Sequence, residues 1–336
     1  MKRNMVQWLD TIVKERAALP IMTYPGLNLV NKSVMDVITD GQNQFLCIEA
    51  LSRKYPMAAT VTIMDLSVEA EVFGSQIRYS EQEVPTVIGK IVSGLEDAEK
   101  LQVPPVGDGR TQAYLDAARI AAAQIKDRPV LAGQIGPFSL AGRLMDMTEI
   151  MITMMEDPEI VHLVLEKCTC FLVEYCKAFK AGGANGVIIA EPAAGLLSPA
   201  KCDEFSSQYV KRIVDAVQDE TFAVILHNCG NTVKQVSSMV STGAKGLHFG
   251  NAVKMTDILP QVPADRIAFG NIDPAGVFKG GTREEVKMKT KELLSAMQPF
   301  SNFVLSSGCD IPPGTSLDNI DAFFQALNEY NSNLEK

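Results

Sequence analysis

The chain has 336 residues, of which 46% are hydrophobic, enough to bury the core of one large α/β barrel or of two ordinary domains. A formal net charge of −9 argues against a general binder of nucleic acid or of anionic membranes, because contacts to phosphate need Lys and Arg. Seven cysteines without the short spacings of a disulfide framework indicate reduced thiols and a cytoplasmic protein.

The first predicted element is an N-terminal helix over residues 1–18, where charged and apolar positions interleave as in a surface helix and not as in a secretory signal. Short apolar segments rich in β-branched residues follow, and none approaches the roughly 18 apolar residues of a membrane span. Strands are predicted at residues 19–24, 60–64, 130–134, 186–190, 222–226, 246–249, 266–270 and 303–306. Near-continuous apolar strands are typical of a parallel sheet covered on both faces.

The segments between these strands carry helix start signals. Asp157 followed by Pro158 fits an N-cap with proline at the first helical position, and so does Ser198 before its proline. Thr282 and Glu285 have the spacing of a capping box. Strand and helix therefore alternate along most of the chain.

This alternation predicts an α/β fold of the TIM (β/α)8 barrel type. A doubly wound open sheet is the alternative, but it normally carries a glycine-rich phosphate turn after its first strand, and the residues after Tyr24 are a poor match. Residues 67–110 interrupt the pattern and are predicted to be an insertion after strand two, with a candidate hairpin or lid at 72–79. No linker divides the chain, so we expect a single TIM-barrel domain over residues 1–336.

Polar or metal-capable side chains follow nearly every predicted strand. In a TIM barrel the carboxyl ends of the strands meet at one rim, where the chemistry takes place. In chain order these side chains are Tyr24, Asp65, Gln134, Glu191, His227 with Cys229, His248, Asn271 with Asp273, and Cys309. One such residue alone is a weak signal, whereas their joint placement predicts an active site.

The most specific signal is His227 and Cys229 after the fifth predicted strand, where Gly230 permits a turn. Cys309 ends the eighth predicted strand, and the two loops converge over the barrel mouth. One imidazole and two thiols suit Zn²⁺, and three protein ligands leave a fourth position open, as in catalytic zinc sites. The alternative is that the three residues are unrelated and merely buried.

The remaining rim residues have functional and structural interpretations. Asp65 and Glu191 are candidates for a fourth zinc ligand, a substrate contact or a proton carrier, and alternatively for a helix N-cap or a rim salt bridge. His248 is a candidate contact to the substrate or the metal, or a side chain that fills the barrel.

Several segments resemble the uroporphyrinogen decarboxylase superfamily, which has a TIM-barrel fold. They fall in the expected order between about residue 20 and residue 328. The segments are MDLSVEAEVFG (64–74), GPFSLAG (136–142), GANGVIIAEP (183–192), GNIDP (270–274), GTREEV (281–286) and SSGCDIPPGTSLDNI (306–320).

Two branches of this superfamily compete. Uroporphyrinogen decarboxylases are metal-free, bind an acidic tetrapyrrole through an arginine-rich amino-terminal loop, and use an aspartate that Asp65 matches. Here no arginine lies between Arg16 and Arg53, so the counter-charges for the substrate carboxylates are missing. A metal-free decarboxylase therefore stays the alternative.

The second branch is that of the methylcobamide:coenzyme M methyltransferases and their relatives, in which a His-x-Cys pair and a distant Cys bind zinc. His227, Cys229 and Cys309 fit that pattern. The resemblance implies zinc-dependent methyl transfer between a corrinoid and a small substrate, preferably from methylcorrinoid to a thiol and alternatively from a methoxy compound to the corrinoid. A barrel whose zinc site only binds or supports structure is the remaining alternative.

The resemblance also implies a partner. The chain carries no Asp-x-His-x-x-Gly corrinoid motif, so a separate corrinoid protein would present the methylcobalamin-type cofactor. A homodimer is left open. The residues expected to contact the cofactor are Tyr24, Gln134, Asn271 and Asp273. The residues expected to take part in catalysis are Asp65, Glu191 and His248.

Overall fold

A parallel sheet of seven strands lies at the centre of the computed structural model, which describes residues 3–334. The strands are β1 (Thr60–Val61), β2 (Gln76–Arg78), β3 (Thr86–Ile88), β4 (Val130–Ile135), β5 (Gly186–Ala190), β6 (Ala223–Asn228), β7 (Gly246–Phe249), β8 (Ile267–Ile272) and β9 (Phe303–Ser307). The large sheet has the order β1-β4-β5-β6-β7-β8-β9 with every pair parallel, while β2 and β3 form a separate antiparallel hairpin.

The predicted first strand, residues 19–24, is not a regular strand, and that prediction was wrong in detail. The chain nevertheless runs between the two edges of the sheet, since Ala18 forms parallel bridges to Met57, just before β1, and to Leu305 of β9. Pro20 interrupts the pairing because it has no amide hydrogen to donate. We call residues 18–22 the closing segment. With it the curled sheet has the eight positions of a TIM barrel, which confirms the predicted fold.

Helices surround the sheet. They are α1 (Met5–Lys14), α2 (Leu27–Val30), α3 (Val34–Thr39), α4 (Gly41–Lys54), α5 (Val68–Val72), α6 (Leu95–Lys100), α7 (Thr111–Gln124), α8 (Pro137–Met145), α9 (Met147–Glu156), α10 (Pro158–Ala181), α11 (Pro199–Cys202), α12 (Gln208–Val217), α13 (Val236–Ser241), α14 (Met255–Ile258), α15 (Arg283–Met297) and α16 (Leu317–Leu334). Within residues 3–334, none is both long and apolar enough to cross a membrane.

The helix start signals have mixed outcomes. Thr282 and Glu285 form the predicted capping box of α15, and the Ser198 side chain caps α11. Asp157 precedes α10, but its side chain makes no capping hydrogen bond. The N-terminal helix is shorter than the predicted residues 1–18, of which residues 1 and 2 lie outside the described part of the chain.

Side chains alternate along the strands between the barrel interior and the helical layer. On β5, Ile188 packs in the interior cluster, whereas Val187 packs in the cluster that contains the surrounding helices. On β6, Ile225 points inward and Leu226 outward. The same alternation places His227 on the interior face at the carboxyl end of its strand. This alternation decides which strand-end residues reach the mouth.

One face of α1 covers the amino-terminal end of the barrel. Met5, Trp8, Leu9 and Ile12 have helical spacing, are buried, and belong to the interior cluster. The Trp8 indole also donates a hydrogen bond to the Ala58 carbonyl at 3.1 Å. The helix therefore closes the end of the barrel opposite the polar strand ends.

Residues 67–110 contain α5, the β2–β3 hairpin and α6. The hairpin predicted at 72–79 has its second strand further along the chain, in β3. After the hairpin, the Ile91 amide donates to the Leu144 carbonyl of α8 at 2.8 Å. The segment therefore spans the β1 side of the barrel and packs against the helix that follows β4.

Replacing Trp8 with alanine should lower the free energy of unfolding by about 3–5 kcal/mol, because a cavity replaces the buried indole. Urea unfolding followed by far-UV circular dichroism measures this change. Tryptophan fluorescence is unsuitable, because Trp8 is the only tryptophan and the variant lacks it. Val6→Ala is the matched control on the solvent face of α1, where Val6 is 44% exposed. Equal unfolding midpoints for the two variants would contradict the role of α1 as a structural plug.

Candidate metal centre

Three predicted residues meet at the barrel mouth. The potential ligand atoms of His227, Cys229 and Cys309 all lie within 4.8 Å of one another. His227 is buried at the end of β6, and the two cysteines are half-buried in the loops after β6 and β9. These strands are not neighbours in the sheet, so the curvature of the barrel brings the residues together.

Tight packing of two loops holds Cys229 in place. Asn228 donates to the Glu191 carbonyl at 2.7 Å and accepts from the Gly230 amide at 2.8 Å. A Cβ added at Gly250, after β7, would lie only 2.4 Å from the Cys229 Cα. The chain bends at Gly230, as predicted, without a positive φ, and a Cβ added there would lie 3.1 Å from the Gly195 Cα.

The His227 ring is anchored on one side only. Its Nδ1 lies 2.8 Å from Nδ1 of His248, and His248 Nε2 lies 2.8 Å from the Ser306 hydroxyl. The other ring nitrogen of His227, Nε2, is buried and has no hydrogen-bond partner within residues 3–334. Burial, followed by repulsion from His227, holds the pKa of His248 well below its usual value.

The two thiols share their environment. Contact with the Cys309 thiol holds the pKa of Cys229 below its ordinary value against the opposing effect of burial. The same contact, together with burial, raises the pKa of Cys309. The first proton therefore leaves this pair easily and the second does not. In four other cysteines burial raises the pKa: Cys47, Cys168, Cys176 and Cys202.

These residues fit a zinc ion. Tetrahedral Zn²⁺ with Zn–S bonds of about 2.3 Å places its sulfur ligands roughly 3.8 Å apart, within the span of this cluster. The imidazole nitrogen without a partner supplies a free lone pair, and a dication would stabilise the second thiolate of the pair. Nitrogen and two sulfurs form a donor set that zinc prefers.

Asp65 lies in a closed hydrogen-bond network and not on an open rim. Its carboxylate accepts from the amide and hydroxyl of Ser67 at 2.9 and 2.6 Å and from the Tyr114 hydroxyl at 2.8 Å. It also pairs with Arg110, whose guanidinium continues to Glu71. The buried ion pair of Asp65 and Arg110 ties the end of residues 67–110 to the barrel. The Asp65 carboxylate thus has four donors around it: the Ser67 amide, the Ser67 hydroxyl, the Tyr114 hydroxyl and Arg110.

Glu191 caps the start of a helix, which is one of the two structural interpretations that the sequence offered for this residue. Its carboxylate accepts from the amides of Phe138 and Ser139, at 2.7 and 2.9 Å, at the start of α8. The Ser206 hydroxyl donates to it at 3.0 Å. Because Ala190 points into the barrel, Glu191 points out of it, away from the mouth. Burial raises its pKa against these hydrogen bonds.

The four expected cofactor contacts are scattered. Gln134 accepts from the Cys176 thiol of α10 at 3.2 Å, so its side chain lies between sheet and helix. Asn271 donates to the carbonyls of Gly250 and Val253, both at 2.8 Å, and holds the loop after β7.

Asp273 and Tyr24 complete that set. Asp273 accepts from the amides of Ala275 and Gly276 and starts the π-helix Pro274–Lys279. With Asn271 it lines a cavity of about 530 Å³ between α14 and α15. Tyr24 is buried, and its hydroxyl has no hydrogen-bond partner within residues 3–334.

Two charged residues near the site were missed from the sequence. Arg110 pairs with Asp65, which lies 45 positions earlier in the chain, and no local sequence pattern predicts such a contact. Asp310 directly follows Cys309 in the sequence, so its place beside the candidate metal ligands could have been predicted. Neither of its carboxylate oxygens is solvent-accessible or hydrogen-bonded within residues 3–334. Burial raises the pKa of Asp310 to about 8, against the lowering effect of nearby backbone amides.

Comparison with known proteins places the chain among relatives. The profile of the uroporphyrinogen decarboxylase (URO-D) family matches residues 28–330. A methylcobamide:CoM methyltransferase, MtbA, of Methanosarcina acetivorans is 31% identical over 270 residues, which cover 79% of this chain and 78% of that protein. A uroporphyrinogen decarboxylase of Pseudoalteromonas translucida is 23% identical over 296 residues, which cover 84% and 82%.

A solved structure is also similar. The structure of a methyltransferase from Methanosarcina mazei superimposes with a TM-score of 0.87 at 22% sequence identity. The match covers 98% of each chain. At this identity the likeness shows the fold, which is that of the barrel described above.

Glu191→Gln should lower the free energy of unfolding by about 1–3 kcal/mol, because an amide cannot replace a carboxylate that accepts two hydrogen bonds from the start of α8 and one from Ser206. Urea unfolding measures this change. Glu174→Gln on the exposed face of α10 is the control and should change the value by less than about 0.5 kcal/mol. An unchanged stability in Glu191→Gln would remove the capping role.

In metal-free protein, Cys229 should be the thiol alkylated at the lowest pH, because its neighbours lower its pKa. Mass-spectrometric mapping of iodoacetamide labelling against pH measures this, with the exposed Cys170 as the internal reference. Cys309→Ala should raise the labelling midpoint of Cys229 by about one pH unit or more, since a donor to the thiolate is lost. An unmoved midpoint would contradict the coupling of the two thiols.

Proposed function

The chain belongs to the uroporphyrinogen decarboxylase family, and within it we propose the activity of a zinc-dependent methyltransferase. The reaction moves a methyl group between the cobalt of a corrinoid and a small substrate. The observation that carries this proposal is the cluster of His227, Cys229 and Cys309 at the barrel mouth, with ligand atoms within 4.8 Å of one another.

These three side chains would hold the zinc ion through one nitrogen and two sulfurs. Three protein ligands leave a fourth position for the substrate, as catalytic zinc sites do. A zinc ion held by these residues would supply a Lewis acid that keeps a thiol substrate as its thiolate near neutral pH. The packing of Gly250 against Cys229 and the anchoring of His227 by His248 keep the ligand set in position.

The preferred direction is from methylcorrinoid to thiol. The thiol proton leaves to solvent, and the sulfur lone pair forms a bond to the methyl carbon. The cobalt–carbon bond breaks, and its electron pair stays on cobalt, which changes from Co(III) to Co(I). The name of the Methanosarcina acetivorans relative, a methylcobamide:CoM methyltransferase, supports this direction. The barrel contributes by holding sulfur, carbon and cobalt in line.

A partner protein would present the corrinoid, since the sequence has no corrinoid motif of its own. The methyl-carrying face must then approach the mouth from the carboxyl ends of the strands, because α1 closes the opposite end. The reverse reaction, from a methylated small molecule to the corrinoid, would use the same approach and the same ligand set.

Metal-free decarboxylation has less support. Asp65, which matches the aspartate of the decarboxylases, is engaged by Ser67, Tyr114 and Arg110 and lies within this network. The amino-terminal stretch also lacks the arginines that a polycarboxylate substrate needs. A substrate reaching Asp65 would have to break its buried ion pair first.

Purified protein should contain about one zinc per chain by elemental analysis, because the three ligands form one site. It should transfer methyl groups from free methylcobalamin to a panel of small thiols, followed by the absorbance of cob(I)alamin under anaerobic conditions. Cys309→Ala should lose both zinc and transfer while keeping its far-UV circular dichroism spectrum.

Cys170→Ala, at an exposed position on α10, is the matched control and should keep both properties. Normal zinc content and turnover in Cys309→Ala would reject the assignment of the ligand set. Full methyl transfer by the wild-type protein after removal of all zinc with a chelator would reject zinc dependence, whereas zinc-free protein that decarboxylates and transfers no methyl group would favour the decarboxylase alternative.

A further inference from the structure

Three hydrogen bonds connect His227 to the backbone of the closing segment. His227 Nδ1 lies 2.8 Å from His248 Nδ1, and His248 Nε2 lies 2.8 Å from the Ser306 hydroxyl. The Ser306 hydroxyl in turn donates to the Leu19 carbonyl at 2.6 Å. The chain of contacts crosses the barrel interior from β6 through β7 to β9.

The direction of these bonds follows from the last one. A carbonyl can only accept, so the single hydroxyl hydrogen of Ser306 is used on Leu19. Ser306 must therefore accept from His248, and His248 carries its hydrogen on Nε2. Its Nδ1 then has a lone pair, which accepts from the Nδ1 hydrogen of His227. A neutral His227 then carries its one hydrogen on Nδ1 and none on Nε2.

The assignment requires a neutral His248, and its surroundings agree. The side chain is 1% exposed and contacts no carboxylate within residues 3–334. A charged imidazole there would be desolvated without a counter-charge, which is costly. Among the residues that the structure describes, His227 is the one titratable side chain in hydrogen-bond contact with it.

We propose that His248 and Ser306 are positioning residues that hold His227 in the one tautomer whose Nε2 can bind a metal ion. For the metal, the inference rests on the proposed function. The tautomer itself is a property of the metal-free protein. We call the hydrogen-bonded series of His227, His248 and Ser306 the relay. It supplies what metal-binding histidines generally require, a partner on the second ring nitrogen that fixes the tautomer and the ring orientation.

The relay is rigid because packing fixes both rings. The two imidazoles meet edge to face at a centroid distance of 4.7 Å, and His248 stacks on Phe269 at 6.4 Å with an interplanar angle of 10°. His227 and His248 are also direct partners in the register of β6 and β7. The orphaned Nε2 of His227 is thus presented at a constant position.

The first test reads the tautomers directly. The chain has only three histidines, so metal-free protein labelled with ¹⁵N in its imidazoles yields an assignable long-range ¹H–¹⁵N spectrum. His162→Gln assigns the third ring. We expect His227 protonated on Nδ1 and bare on Nε2, and His248 protonated on Nε2. A hydrogen on Nε2 of His227 would overturn the proposal.

The second test measures zinc affinity by competition with a chromogenic chelator. His248→Phe, which keeps the ring volume but removes the acceptor, should weaken zinc binding about 10–100-fold. His248→Asn should recover most of the affinity, because its Oδ1 can accept near the position of the imidazole Nδ1. Ser306→Ala should weaken binding less than His248→Phe. His162→Gln is the control and should bind as the wild type does.

Circular dichroism and thermal melting verify that each variant is folded, and Ser306→Ala keeps the test decisive should His248→Phe not fold. Folded His248→Phe and Ser306→Ala with wild-type zinc affinity would overturn the relay. The predicted tautomers and affinities in a protein that transfers no methyl group would reject the methyltransferase and keep the relay. Zinc-dependent transfer by a protein whose His227 carries its hydrogen on Nε2 would reject the relay and keep the methyltransferase.

Discussion

Closure of the parallel sheet is the constraint on which the mouth depends. Between β1 and β9 the chain has no full ladder, because Pro20 interrupts the closing segment. Hydroxyl groups of β9 replace part of it: Ser306 donates to the Leu19 carbonyl, and Ser307 accepts from the Ile21 amide at 3.0 Å. The barrel is therefore closed partly by side chains, and one of these serines also belongs to the histidine relay.

The chemistry of the mouth follows from how few polar groups the interior accepts. Most buried polar side chains here have their hydrogen bonds, as Asp65 and Glu191 do. Within residues 3–334 the exceptions include Nε2 of His227 and both oxygens of Asp310, next to Cys309, as well as atoms elsewhere in the fold, such as Oε2 of Glu69 and Oε1 of Gln235. Since orphaned polar groups are costly to bury, a ligand at the cysteines would restore the interaction that Nε2 of His227 lacks.

Sequence predicted the barrel, most of its strands and the three residues of the metal cluster, because apolar runs and a His-x-Cys pair are local patterns. It could not tell that Gln134 and Glu191 face the helices, since strands buried on both faces show no alternation of polarity. It also could not predict the pairing of Asp65 with Arg110, which depends on how an insertion folds back. His248 was found, but its contacts with His227 and Ser306 required the register of β7 against its neighbours.

The order of these elements along the chain has a consequence for biosynthesis. A nascent polypeptide that has emerged from the ribosome as far as β8 already contains His227 and Cys229, but neither Ser306 nor Cys309. Closure also needs the closing segment, which precedes β1 in the chain, to meet β9, the last strand of the sheet. The full ligand set thus forms only after β9 and the loop that carries Cys309 have been synthesised. At the proposed zinc site, metal loading would then be coupled to the joining of the two ends of the sheet.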